Sequence, residues 1–448
     1  MKGDLTEGSV FKTLVRFTVP YFFACFMQVF YGLADLYITG QFNGAAEVTA
    51  VAVGSQIMHM ITVIIIGFAM GTTVILANEV GAGNAKGAAK AAGNSIVMFG
   101  IFSVVLMVFL LSLAPGITAW MNTPPEAAPD TLRYLVICFA GIPFIVAYNI
   151  ISSIFRGLGD SRMPMYFVAV ACVVNVVLDY IFIGVLAFGS AGAVLGTVVS
   201  QAVSSVSALF VIRKRRIGLV VTGRDLRPDK TVIKRMLSVG SPVALQDGLI
   251  QVSFLIITMI ANSRGLVAAT AVGVVEKVIS FLFLVPSALL SAVSAITAQN
   301  MGAGKQQRAN QSLGYSLAVA VVSGLLFSAF CQVWPHVLIR LFNREAEVLA
   351  AGCEYLRSYS FDCLFAGIHF CFSGYFCGMG KSYLSFVHNM VSIVLMRIPG
   401  AWLASVYFPG TLYPMGWAAP LGSVLSSVIC ISAFFYIKKK FNFFSKKV

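Results

Sequence analysis

Asn175-Val-Val-Leu-Asp179 places an amide and a carboxylate one helical turn apart in the middle of an otherwise apolar run, Met165 to Gly184. At 3.6 residues per turn, positions i and i+4 share a face, so both groups look out of one side of one helix. A carboxylate at such depth in hydrocarbon costs a few kcal/mol or more, about 2.5–3.5 on insertion scales, and usually marks an ion or proton route. A second acid, Asp35, lies far into the first apolar segment. The two carboxylates are read as one cation or proton site, and the rest of the chain as the machine that carries its load across a membrane.

The surrounding composition sets the class. Of 448 residues, 58% are hydrophobic and 11% charged, and the mean hydropathy is +0.89. Soluble domains carry about 25% charged residues, so this is an integral membrane protein. The first apolar run, Leu14 to Ile38, is too long for a signal-peptide core and is expected to stay as an uncleaved first helix. The nine cysteines, Cys25, Cys138, Cys172, Cys331, Cys353, Cys363, Cys371, Cys377 and Cys430, never fall as C-x-x-C. They read as small apolar packing residues, with neither a disulfide nor a zinc site expected.

Twelve segments are each long enough to cross ~30 Å of hydrocarbon at 1.5 Å per residue. Their approximate spans are 14–39, 47–78, 92–114, 132–155, 164–187, 191–212, 236–261, 266–299, 312–339, 354–376, 383–407 and 415–437. The net charge of +14 would suit nucleic acid, but its distribution decides otherwise. Lys2, Lys12, Arg16, Lys86, Lys90, Arg156, Arg162, nine residues of the 213–235 linker, Lys305, Arg308, Lys381 and five C-terminal lysines fall in alternate loops. That is 24 of the 31 basic residues on one side. By the positive-inside rule both termini are cytoplasmic, in a multi-pass protein of the cell (inner) membrane. The basic linker is a topology signal and an anionic-lipid contact, with no nucleic-acid partner. Pro115 to Asp130 and Phe408 to Met415 belong to the outer side.

An internal repeat organises the spans. Val80-Gly-Ala-Gly83 recurs as Met301-Gly-Ala-Gly304, a shift of 221 residues. The same shift maps Phe155, Gly157 and Gly159 onto Phe376, Gly378 and Gly380, Tyr134-Leu135 onto Tyr355-Leu356, and Thr49-Ala-Val51 onto Thr270-Ala-Val272. Each copy holds six spans, so the copies have the same orientation. Transporters of this design are related by an axis along the membrane normal and bind substrate between halves near the midplane. The expected division is a six-helix lobe over 1–212, a cytoplasmic basic linker over 213–235 that serves as a hinge, and a second six-helix lobe over 236–448. Pro20, Pro143, Pro286, Pro399 and Pro420 lie inside spans, as bends for motion or as static kinks.

The motifs themselves resemble a known family. Leu5-Thr-Glu-Gly-Ser-Val-Phe-Lys12, Asn78-Glu-Val-Gly-Ala-Gly-Asn84, Arg156-Gly-Leu-Gly-Asp-Ser-Arg162, Asn175-Val-Val-Leu-Asp179, Gly192-Ala-Val-Leu-Gly-Thr197 and Gln299-Asn-Met-Gly-Ala-Gly-Lys305 look like the MATE (multidrug and toxic compound extrusion) family, closest to its DinF-like prokaryotic branch. The resemblance covers the whole chain. It implies an all-α integral membrane fold of twelve transmembrane helices, in two pseudo-symmetric six-helix lobes around a central cavity. It also implies a secondary antiporter that exports organic, often cationic, drugs or metabolites in exchange for H⁺ or Na⁺. The implied coupling site comprises Asp35, Tyr31 one turn before it, Asn175, Asp179 and Thr197. No cofactor and no metal are implied beyond a possible Na⁺ at Asp35, Asn175, Asp179 and Thr197. The partners are a small organic substrate and the bilayer, and the protein is expected to be a monomer.

Depth agrees with that site. At 1.5 Å per residue, Asp35, Asp179 and Thr197 all come out in the outer half of the membrane. Two carboxylates near one another in low dielectric cannot both stay charged cheaply, so the pair titrates as a unit. The competing reading is that the two acids only hydrogen-bond neighbouring helices.

The second half departs from the first. At the repeat shift, Asp35, Asn175 and Asp179 fall on Ile256, Met396 and Gly400, so the site is not duplicated. This half has its own intramembrane charges, Asp247, Glu276, Lys277, Asp362 and Arg397, read as an internal ion-pair network of Glu276 and Asp362 with Lys277 and Arg397, or as contacts to a cationic substrate. His59 and His369 are either relays or packing residues. Gln28, Gln56, Met27, Met58, Phe281, Phe283 and Tyr148 either line an apolar cavity or simply pack.

Two other functions fit the residues less well. A lipid-linked precursor flippase of related architecture would want a strongly cationic cavity, whereas the intramembrane acids outnumber Lys277 and Arg397. An enzyme is not expected, since no G-x-S-x-G, H-E-x-x-H or P-loop occurs and the loops are too short for a catalytic domain.

Overall fold

A computed structural model describes residues 4–121, 123–215 and 219–445. Lys2, Arg216, Lys446 and Lys447 of the basic set lie outside the described residues. The described secondary structure is helical throughout. Ten helices are long and apolar enough to cross a membrane, and two bent pairs bring the number to twelve. Their outward faces are apolar, as lipid demands: α3 (Ala85–Trp120) exposes Ile101, Val104, Val105, Val108 and Phe109.

The spans run longer than the apolar stretches alone. α1 covers Val10–Phe42, α2 Ala45–Gly81, and α3 continues through Pro115 to Trp120, six residues beyond the expected end of the third span. The fourth span is two helices, α4 (Ala128–Ala140) and α5 (Ile142–Gly157), bent by 48° at Gly141 with Pro143 in the first turn of α5. A proline there lacks an N–H that the first turn would leave unused anyway. α6 (Arg162–Asp179) continues into a π-helical turn, Tyr180–Val185, and α7 is Gly189–Arg215.

The second half follows the same plan. α8 is Lys230–Asn262, with Pro242 inside it, and the eighth span breaks at Phe283 into α9 (Leu266–Leu282) and α10 (Leu284–Gly302). α11 (Gln306–Val333) is followed by the short α12 (Pro335–Arg340). The tenth span is α13 (Ala346–Tyr359) and α14 (Asp362–Gly378), bent by 44°. α15 (Tyr383–Ser392), a π-helical turn Ile393–Arg397 and α16 (Ile398–Tyr407) form the eleventh, and α17 (Tyr413–Gly416) with α18 (Ala418–Ser445) the twelfth. The repeat shift carries Gly141 onto Asp362, so both bends fall at one register of the duplicated sequence.

The repeat also recurs as packing. In one half, a Cβ at Gly157 would stand 3.0 Å from the Thr73 carbonyl; in the other, a Cβ at Gly378 would stand 2.7 Å from the Ser294 carbonyl. Both pairs are related by the same 221-residue shift. Glycine is required because helix backbones meet here with no room for a side chain.

By contacts the chain forms two compact units, one of residues 1–5 and 19–244, the other of 6–18 and 245–448. Residues 225–235 of the basic linker are held in place. Within the first unit, Asn94 Nδ2 donates to the carbonyls of Asp225 (3.2 Å) and Arg227 (3.4 Å), and its Oδ1 accepts from the Asp229 amide (2.7 Å). Lys90 pairs with Asp229 at 2.5 Å and Arg235 with Glu79 at 3.0 Å. The Lys90 hydrogen bond and backbone amides of Val232 and Thr231 hold the Asp229 carboxyl down at about 2. A depressed carboxyl contributes above its ordinary range, near 4, and loses that contribution as pH falls toward 2.

In the second unit, Lys305 and Arg308 hold the other lead-in. Lys305 Nζ donates to Thr6 O at 3.0 Å, and Arg308 to Gly8 O at 2.6 Å and Glu7 O at 2.5 Å. Thr6 to Gly8 map onto Arg227 to Asp229 at the repeat shift, so the peptide ahead of each half's first helix is tied down at one register. Replacing Asn94 with Ala should speed amide exchange at residues 225–229 by about five- to tenfold, the worth of one or two hydrogen bonds, with α7 unchanged by mass spectrometry.

Candidate functional site

Local helix geometry builds the site in the first unit. Asn175 and Asp179 share one face of α6, and Asn175 Nδ2 donates to Asp179 Oδ1 at 3.4 Å. Asp179 is the last residue of regular α-helix before the π turn, a distortion that concentrates at functional positions. α7 comes close enough to take part because of Gly196: a Cβ there would collide with Asp179 Oδ1. The next residue, Thr197, then reaches both neighbours. Its hydroxyl lies 3.1 Å from Asp35 Oδ2 and 3.2 Å from its own helix's Ala193 carbonyl, and accepts from Asn175 Nδ2 at 3.4 Å. A hydroxyl has one proton, so Asp35 and Ala193 share it.

Asp35, Asn175 and Asp179 are all buried, at 4%, 1% and 0% exposure. The two carboxyls are linked through Thr197 and Asn175, which touch Asp35 Oδ2 and Asp179 Oδ1. Asp35 Oδ1, Asn175 Oδ1 and Asp179 Oδ2 are buried oxygens that find no donor among the described residues. No ion pair to either acid occurs among those residues. Three buried oxygens thus lack a donor beside two carboxyl groups that have no protein cation among the described residues. Such a donor set suits a hard cation or a proton, not a transition metal. Among the described residues no cluster of three His, Cys, Asp or Glu side chains is placed to hold a metal.

Tyr31 lies beside Asp35, Gln201 and Tyr148. Sequence reasoning did not single out Gln201, although it stands one turn beyond Thr197 on α7 and is buried. Its spacing from Thr197 was the available signal. Gly196 stands in the Gly192–Thr197 motif, and its role depends on how near α6 comes.

The charges of the second unit do not form the expected four-member network. Asp362 and Arg397 pair at 3.2 Å, both buried. Glu276 instead accepts from Thr258 Oγ1 at 2.9 Å, and Lys277 is exposed, 6.0 Å from the centre of the Phe342 ring. Adjacent residues on an α-helix point about 100° apart, so Glu276 and Lys277 cannot both face inward. Asp247 has the Gln246 amide at 3.4 Å. His59 is exposed, whereas His369 is buried and bonded through Nε2 to Ser423 at 3.3 Å. Tyr148 packs with Ala24, Ile151 and Phe155 in a core cluster. Met58 is buried and Gln56 exposed, while Met27, Gln28, Phe281 and Phe283 are half-buried.

Comparison with known proteins agrees with the duplicated plan. The family model MatE matches residues 20–181 and again 242–403. "Probable multidrug resistance protein YpnP" of Bacillus subtilis (strain 168) is 30% identical over 405 residues, 89% of this chain and 91% of that protein. "Probable multidrug resistance protein NorM" of Thermotoga maritima is 26% identical over 411 residues, covering 89% and 86%. Among solved structures, "Crystal structure of MATE in complex with MaL6" superposes with a TM-score of 0.92 at 22% identity over 100% of both chains. "Outward-facing conformation of a multidrug resistance MATE family transporter of the MOP superfamily" gives 0.91 at 23% identity, covering 100% of this chain and 99% of that one.

The close approach at Gly196 is testable by itself. Gly196→Ala should destabilise the purified protein by about 1–3 kcal/mol, the usual cost of overpacking, seen as a lower midpoint in a thermal melt. Gly100→Ala, where a Cβ meets nothing within 4 Å, should leave the midpoint unchanged or raise it.

Proposed function

The chain belongs to the MATE family, and from that membership together with the buried carboxyl pair we propose that it is a secondary antiporter, exporting organic and often cationic drugs or metabolites in exchange for H⁺ or Na⁺. It is a multi-pass membrane transporter and not an enzyme. The relatives named for multidrug resistance support the substrate class. The observation that carries the coupling role is the set of three unpartnered buried oxygens, on Asp35, Asn175 and Asp179, around two carboxyls with no protein cation.

The chemistry follows from that imbalance. In a low-dielectric surrounding, two carboxylates side by side are sustained only while a proton or small cation neutralises part of their charge. With the load bound, Asp35 and Asp179 are drawn together, with Thr197 and Asn175 bridging α1, α6 and α7. With the load released, repulsion favours their separation. Binding thus acts on the packing of three helices, which is the differential contact that any ion-driven change of state requires. Tyr31 sits beside Asp35 as a further neutral oxygen, with Gln201 next to Tyr31. The protein works as a monomer in the cell membrane with both termini cytoplasmic.

Flux in proteoliposomes under imposed H⁺ or Na⁺ gradients tests the proposal. Export of a lipophilic cation should follow at least one of the two gradients; flux indifferent to both would end the coupling reading. Asp35→Asn and Asp179→Asn should each lower gradient-driven flux by on the order of a hundredfold, as expected when one member of a coupled buried pair is lost, at unchanged membrane abundance. Full transport by either variant would contradict the role. Glu276→Gln and Asp247→Asn should instead change which compounds are carried, read as a shift in substrate competition while the response to the gradient persists.

A further inference from the structure

The second unit also buries an acid, and that acid has a cation of the chain on one oxygen, Oδ2, while its Oδ1, like those of the first site, finds no donor among the described residues. Asp362 is wholly buried in the first turn of α14, directly after the bend in the tenth span. Its Oδ2 accepts from Arg397 Nη2 at 3.2 Å, and the same nitrogen lies 3.3 Å from Ser423 Oγ. Ser423 leads on to His369 at 3.3 Å, whose ring packs against that of His388 with centroids 5.5 Å apart.

Two features of the backbone deliver the guanidinium. Arg397 closes the π-helical turn Ile393–Arg397. On α18, a Cβ at Gly422 would press on Arg397 Cγ at 2.8 Å, so glycine leaves the passage for the stem. The titratable groups facing the pair are Tyr355 and Tyr359 from α13, Cys363 and His369 from α14 and, beyond His369, His388 from α15; Glu276 of α9 faces Tyr355. Among them Arg397 alone carries a fixed positive charge, since guanidinium does not deprotonate in proteins.

The two units therefore solve the same electrostatic problem differently. In the first, a pair of acids has no protein cation within ion-pair distance among the described residues; in the second, the acid has a cation supplied by the chain. We propose that Arg397 is a tethered substitute for an exchangeable ion: it keeps Asp362 out of ion exchange and so sets the number of ions moved per drug. This rests on the coupling proposed for Asp35 and Asp179. A mobile ion entering at Asp362 would have to displace a guanidinium that has no other acid among its described partners, leaving a buried charge unmatched. Arg397 is thus a positioning residue for stoichiometry and touches neither the drug nor the ion.

The test is the coupling ratio. Purified full-length protein in proteoliposomes is set against opposing gradients of tetraphenylphosphonium and of H⁺, with a parallel series in Na⁺, and the point of zero net flux gives ions per drug. Arg397→Gln should raise the wild-type ratio by one, because a freed Asp362 takes an ion of its own. Asp362→Asn/Arg397→Gln should return to the wild-type ratio. Arg397→Gln transporting at the wild-type ratio overturns the proposal, and so does a double variant that folds but loses coupling. Where Arg397→Gln does not fold, the double variant, which buries no net charge, decides between these outcomes. A wild type blind to both gradients removes the coupling reading and this inference with it; a coupled wild type whose ratio Arg397→Gln leaves unaltered removes this inference alone.

Discussion

Hydrocarbon offers no counter-charge, and the internal organisation of this protein follows from that. Every acid placed inside a span must be neutralised by a proton, a mobile cation or a side chain. Asp35 and Asp179 have no protein cation among the described residues, with Asn175 and Thr197 supplying neutral bridges, while Asp362 has Arg397. Among the described residues Glu276 bonds a hydroxyl and Asp247 has an amide beside it. The different neutralisers distinguish groups that composition treats as equivalent.

Bringing charges together inside a membrane also requires backbones to meet. With no hydrophobic gain from leaving lipid, helices associate through close packing, and glycine is the residue that permits it. Gly157 and Gly378 repeat one contact in the two halves, so duplication preserved the scaffold. Gly196 and Gly422 serve the charged sites: one lets α7 reach Asp179, the other lets the Arg397 stem pass α18. The sites diverged on a framework that did not. That divergence explains how one architecture can carry an open carboxyl pair in one half and a closed ion pair in the other.

The ends of the halves show a related economy. The peptides ahead of α1 and α8 are bends and turns rather than helix, and their carbonyls need donors, since backbone groups are not left unpaired cheaply. Lys305 and Arg308 supply them for residues 6–8, Asn94 for residues 225 and 227. Different donors fill one need at one register. The basic side chains counted as a topology signal thus also fasten chain entry, which charge counting does not show.

Hydropathy and period determined the class of this protein, its twelve spans and its internal duplication, because burial in lipid requires long apolar runs and leaves polar exceptions conspicuous. Asp35, Asn175 and Asp179 were legible for the same reason: each is a polar exception, and helix rise fixes its depth; Thr197 was legible only through the resemblance of its motif to the family. The direction of a side chain across to another helix is not local. Sequence alone could therefore not separate Glu276 from Lys277, pair Arg397 with Asp362, or find Gln201 and Gly196. It also could not place the bends at Gly141 and before Asp362 or reveal that the linker is fastened to α3. Those were decided by tertiary structure, where the approach of one backbone to another determines which buried charge meets a partner.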